Sequence, residues 1–201
     1  VATIGLSEDN IAVVVGAMVI APLLAPNLAL SFAATIGSKK LAISSLKSLI
    51  IGIALTLGIT FSITFFSDIN SLSNEIISRT KVGLGDIVLA LASGAAAALS
   101  MTTGISASLV GVMVSVALLP PAASFAILLA NERYEMAAGA LILLLINTVC
   151  VQLSGSLTFI CQGFRGRTYL EREEAKSGLT IFMSFWIILI SILVASALYI
   201  N

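Results

Sequence analysis

Six stretches of about twenty apolar residues, nearly free of charge, dominate this chain: Ile11–Ile36, Leu41–Phe66, Gly85–Met101, Ile105–Ala130, Met136–Cys161 and Leu179–Ile200. A helix needs roughly 20 such residues to cross a hydrocarbon core of ~30 Å. The predicted fold class is therefore all-α, a polytopic transmembrane helical bundle of about six spans. Composition leads the same way, with 59% hydrophobic and 10% charged residues and a mean hydropathy of +1.13. A water-soluble domain devotes about a quarter of its residues to charge. Ten basic residues cancel ten acidic ones, so no nucleic-acid surface is expected. The chain has no His, and Cys150 and Cys161 share one apolar stretch, which leaves no metal set, cofactor site or disulfide framework to read. It begins with Val, so it is expected to be part of a longer chain with a soluble region attached.

The sequence repeats itself. GAMVIAPLLAP at Gly16–Pro26 returns as GVMVSVALLPP at Gly111–Pro121, an offset of ninety-five residues. At the same offset Ala42, Leu46 and Ile51 align with Ala137, Leu141 and Ile146, and Lys81, Gly83 and Leu84 with Lys176, Gly178 and Leu179. Residues 1–102 and 103–201 thus read as two copies of a three-span unit. An odd number of spans per copy inserts the second copy from the opposite side. A 3+3 inverted repeat with proline-broken first and fourth spans is the expected architecture, an arrangement common among secondary transporters.

Proline lacks an N–H and clashes with the carbonyl four residues back. Pro22 is expected to free the carbonyl of Met18, Pro26 that of Pro22, and Pro120 and Pro121 those of Val116 and Ala117. Such carbonyls must face protein, water or a ligand. Asn27 is placed to cap the half-helix after the first break, and Ser31 and Ser124 add hydroxyls. Asn147, near the centre of the fifth span, needs a partner for its amide. These residues form the candidate ligand site. The alternative reading makes each proline a packing kink and Asn147 an interhelical hydrogen bond. Gln152, Ser154 and Ser156 are further polar residues of the fifth span. The small residues Gly94–Ala98 and Gly104, Ser106, Ala107, Ser108 and Gly111 suit close helix packing, within one protomer or between protomers. In the connection Ser67–Leu84, Ile76 and Ile77 beside Glu75, Arg79 and Lys81 predict a short interfacial helix. Asp86 reads as a helix-start residue, with a proton or cation acceptor as the alternative.

With six full spans one face carries Lys39, Lys40, Lys47, Arg165, Arg167, Arg172 and Lys176, and the other Arg79, Lys81 and Arg133. The positive-inside rule places the first set in the cytoplasm. Re-entrant hairpins at the proline phrases would instead make the repeats parallel and leave the orientation undecided.

GAMVIAPLLAPNLAL, EIISRT at Glu75–Thr80, LALASGAAAALS and VALLPPAA at Val116–Ala123 together resemble the family catalogued as domain of unknown function 389, in order and spacing from about residue 5 to 165. The resemblance implies a polytopic membrane protein of a bacterium or archaeon, often with a soluble region at one end. It implies no reaction, so no functional residue is carried over from it.

The leading expectation is a multi-pass cell-membrane protein that serves as a transporter or channel for a small solute or ion, bound at the broken helices. The competing one is a membrane-embedded oligomerisation or sensing module whose ligand binds the attached soluble domain. Membrane lipid is a partner in both, and a homo-oligomer is expected. No nucleophile–base pair is evident, so no enzyme is expected.

Overall fold

The computed structural model describes residues 1–20, 23–67, 72–103 and 107–164, with residues 184, 186–189, 191 and 195. Every regular element among them is an α-helix: α1 (Ala2–Ser7), α2 (Ile11–Ile20), α3 (Leu24–Ile36), α4 (Lys39–Phe66), α5 (Asn74–Ser78), α6 (Leu84–Thr103), α7 (Ala107–Ala130) and α8 (Tyr134–Cys161). The first expected span is divided into α2 and α3, and the next four agree with α4, α6, α7 and α8 to within two residues at each end. Most of the sixth expected span, the charged connection from residue 165 onward, and Pro22 lie outside the described residues. The short helix expected between the second and third spans is α5, with Ile76 fully buried.

By length and composition α4, α6 and α8 can each cross a membrane, and Ala25–Ile36 and Ala117–Ala130 are shorter apolar segments. Local chemistry sets their limits. Gly37, at φ 75°, closes α3 in the left-handed conformation that glycine adopts without strain. Ser38 then caps α4 by accepting from the Leu41 N–H. The turn before α8 holds its own left-handed residue, Glu132 at φ 58°, ninety-five positions after Gly37. Likewise α4 and α8 are both 28 residues long and begin ninety-five positions apart.

Side-chain contacts fix the direction of each helix. At one end Thr3 donates to Thr60, Ser73 donates to the Leu6 carbonyl, and Asp9 accepts from the Glu75 N–H at 2.9 Å. The Thr80 carbonyl lies against Gly139 at the same end. At the other end Gln162 donates to Thr102 at 2.6 Å, and the Phe32 ring meets those of Phe159 and Phe164. So α2 and α3 in succession, α6 and α8 run from the first end to the second, while α4 and α7 run back. The described carboxylates Glu8, Asp9, Glu75, Asp86, Glu132 and Glu135 all gather at the first end, and Lys39, Lys40 and Lys47 at the second.

The bundle is apolar outside and partly polar inside. Ile43, Ile50, Leu55, Ile59 and Phe65 of α4 and Leu84, Val88 and Leu99 of α6 are exposed, whereas Asn27, Ser31, Ser93, Ser115, Asn147 and Gln152 are buried. A water-soluble fold has the reverse distribution. Helix α8 is the hub and packs on α3, α6 and α7. It packs tightly on α6 because Gly94 has no side chain: a Cβ there would lie 2.4 Å from the Val151 carbonyl oxygen. The small residues of this stretch therefore serve packing inside the protomer, with Ala97 and Ala98 fully buried beside Gly94.

Gly94→Val is expected to separate α6 from α8 and to destabilise the fold by about 1–3 kcal/mol or more. Gly58→Ala, where nothing lies within 4 Å, is the control. Thermal unfolding in detergent should show a lowered midpoint for the first variant and none for the second.

Candidate functional site

Helix α7 continues unbroken through Pro120 and Pro121, contrary to the break expected there. The two rings still remove the N–H groups that would bond the carbonyls of Val116 and Ala117. Asn147 of α8 replaces one of them, donating from Nδ2 to the Ala117 carbonyl at 2.8 Å. The interhelical bond weighed for Asn147 is therefore present, and it compensates the proline directly. Both prolines are buried.

The first proline phrase behaves differently. Helix α2 is described to Ile20 and α3 begins at Leu24, and the break expected at Pro22 lies outside the described residues. Pro26 is the third residue of α3, a position whose N–H has no helical acceptor in any case, and so it starts the helix rather than breaking it. Asn27 follows inside the helix. The N-cap position belongs to Leu23, and no side chain caps it, so the capping role expected for Asn27 is not found. Leu23 packs instead against Gly52 of α4.

Around Asn27 the interior is polar. Ser31, one turn on, lies between the Asn27 carbonyl at 3.3 Å and the Gln152 carbonyl at 3.1 Å. Ser156 donates to the Ser31 carbonyl, and Gly155 leaves room for this contact. Asn27 and Gln152 are 0% and 1% exposed, and neither carboxamide finds a hydrogen-bond partner among the described residues. The same is true of Asn147 Oδ1 and of the Ser93 and Ser115 hydroxyls. A buried amide left unpaired costs about 1–3 kcal/mol on mutational scales.

These groups share one level. Ser93 adjoins Gly94, which meets Val151 next to Gln152, and Ser115 lies two residues before Ala117, the partner of Asn147. Helices α3, α6, α7 and α8 all touch one another. From Asn147 to Gln152 is about 7.5 Å along α8 at ~1.5 Å per residue. The layer is thus thin, and it lies near the middle of α8. Among the described residues no Asp, Glu, Lys or Arg is buried, and no group of three or more His, Cys, Asp or Glu is placed to hold a metal ion.

Of the residues singled out from sequence, the structure brings Asn27, Ser31, Ala117 and Asn147 to this layer. Pro120 and Pro121 lie just beyond it. Ser124 is buried without a partner among the described residues but sits about 10 Å further along α7. Met18 packs into a separate apolar cluster with Leu119, Ala123 and Ile127. The side chain of Val116 lies outside the described residues. Gln152, Ser93 and Ser115 belong to the layer but were not among the candidate contacts. Gln152 had a signal, an amide inside an apolar span; two serines in apolar stretches had none.

Residues 18–153 match the family described as Domain of unknown function (DUF389). A protein of Methanocaldococcus jannaschii, described as uncharacterized, is 35% identical over 189 residues, covering 94% of this chain and 59% of that protein. The chain therefore spans less than two thirds of that relative's length. No solved structure matches it.

Asn147→Leu is expected to leave the Ala117 carbonyl unpaired and to destabilise the bundle by about 0.6–2 kcal/mol. Pro121→Ala restores a backbone donor to that carbonyl. The double variant should therefore be more stable than the sum of the single effects predicts, by more than the ~0.3–0.5 kcal/mol scatter of independent sites. Additive unfolding midpoints would disconnect Asn147 from the proline.

Proposed function

The chain belongs to the DUF389 family, and from that premise we propose that it is a multi-pass protein of the cell membrane that passes a small polar solute or ion through its mid-depth polar layer. The observation that carries this reading is the pair of fully buried carboxamides of Asn27 and Gln152, unpartnered among the described residues, inside a bundle whose outer surface is apolar. Intramembrane polar groups are costly, and they are kept where a function requires them.

The two-copy architecture supports the same reading. The equal lengths of α4 and α8, the left-handed residues 37 and 132, and the packing of α3 on α8 and α7 on α4 all agree with a ninety-five-residue duplication. Because α7 runs opposite to the succession of α2 and α3, the copies would be inverted, with full spans favoured over re-entrant hairpins. Counted over the whole sequence, Lys39, Lys40, Lys47, Arg165, Arg167, Arg172 and Lys176 against Arg79, Lys81 and Arg133 favour a cytoplasmic second end.

A second reading, an assembly or sensing module, draws on the outward face of α4, where little of the helix is covered, and on the greater length of the archaeal relative. In that reading α4 meets another copy and the ligand binds elsewhere in a longer chain.

Flux into proteoliposomes separates the two. For the complete protein, a panel of ions and neutral solutes is expected to include at least one that enters at least tenfold faster than into protein-free vesicles. Asn27→Leu should reduce that flux strongly without reducing the yield of folded protein. Entry indistinguishable from protein-free vesicles across the panel, with protein verified as folded, contradicts the transport reading.

A further inference from the structure

We infer that the mid-depth layer takes an uncharged solute carrying both hydrogen-bond donors and acceptors, of the urea or small-polyol type, and not an ion. The inference rests on the transport reading above and concerns which class of solute uses that layer.

The groups on offer are balanced. Each carboxamide presents one acceptor oxygen and one donor NH₂, and exchanging the two atoms by a flip leaves that balance unchanged. Asn27 and Gln152 therefore contribute two donor groups and two acceptors, Asn147 adds a free Oδ1, and the Ser93 and Ser115 hydroxyls serve in either sense. A cation satisfies the oxygens and leaves both NH₂ groups facing a positive charge. An anion does the reverse. A solute with donors and acceptors of its own satisfies both sets.

The fixed charges point the same way. Among the described residues no ionisable Asp, Glu, Lys or Arg is buried, so an ion entering this layer would lose its hydration with no opposite charge to replace it. The described carboxylates and ammonium groups stand at the two ends of the bundle. The surrounding cluster of Leu28, Ala90, Ala97, Val114 and Val151 is apolar and further disfavours a bare charge.

The test uses the complete protein in phosphatidylcholine vesicles. Urea and glycerol entry is followed by stopped-flow light scattering, and Na⁺, K⁺ and Cl⁻ by conductance. Urea or glycerol entry at least tenfold above protein-free vesicles, with ion conductance at background, is expected. Ion passage, with or without neutral solutes, overturns the inference but leaves the transport reading standing. Passage of nothing overturns both. Gln152→Leu should lower neutral-solute entry at least tenfold. Should that variant not fold, Ser93→Ala makes a smaller change in the same layer and should slow entry measurably. Unchanged entry in the folded variant places the path elsewhere and overturns the inference.

Discussion

Inside an apolar bundle, every carbonyl, amide and hydroxyl has to find its partner within the chain or in something the chain binds, and this requirement organises the molecule. Where α7 gives up helical donors at Pro120 and Pro121, Asn147 reaches across from α8 to the Ala117 carbonyl and the helix runs on. Pro26 occupies a position near the start of α3 at which a missing N–H costs nothing. The Ala117 carbonyl is thus satisfied, and Pro26 leaves no helical bond unmade. The carboxamides of Asn27 and Gln152 remain, fully buried and unpartnered among the described residues.

Helix α8 connects these features. One side of it supplies Asn147 to α7, another accepts Ser31 of α3 at the Gln152 carbonyl, and a third lies against Gly94 of α6. Its polar residues face inward because the outer surface is apolar, and α4, its counterpart in length and position, is exposed along most of its extent. A single buried helix carrying Asn, Gln and Ser through the middle of the bundle gives a polar layer a rigid support. Close packing at Gly94 and Gly139 fixes the level at which those residues meet their neighbours.

Most of the described helices were legible in the sequence, because long uncharged apolar runs leave few other outcomes and glycine, serine and charged residues mark the ends. The proline phrases were legible as special positions but not in their effect. A proline breaks a helix only if its missing bond is not replaced, and the replacement at Ala117 comes from a residue thirty positions away on another helix. Pro26 and Asn27 were read as a break and its cap, yet the helix start at Leu24 puts both inside α3. Met18 was selected through its carbonyl, whereas its side chain belongs to an apolar cluster with Leu119. Ser93 and Ser115 acquire meaning only from the register of α6 and α7 against α8, which no one-dimensional pattern encodes.

The claim at the centre of this account is that the layer between α3 and α8 is occupied by polar matter. Cryo-electron microscopy of the complete protein in lipid nanodiscs, at a quality that resolves ordered water, tests it most directly. The account predicts density within hydrogen-bond distance of the Asn27 and Gln152 carboxamides, belonging to water or a small solute. Apolar side chains closing on both amides, or the two amides bonded only to each other, would contradict it.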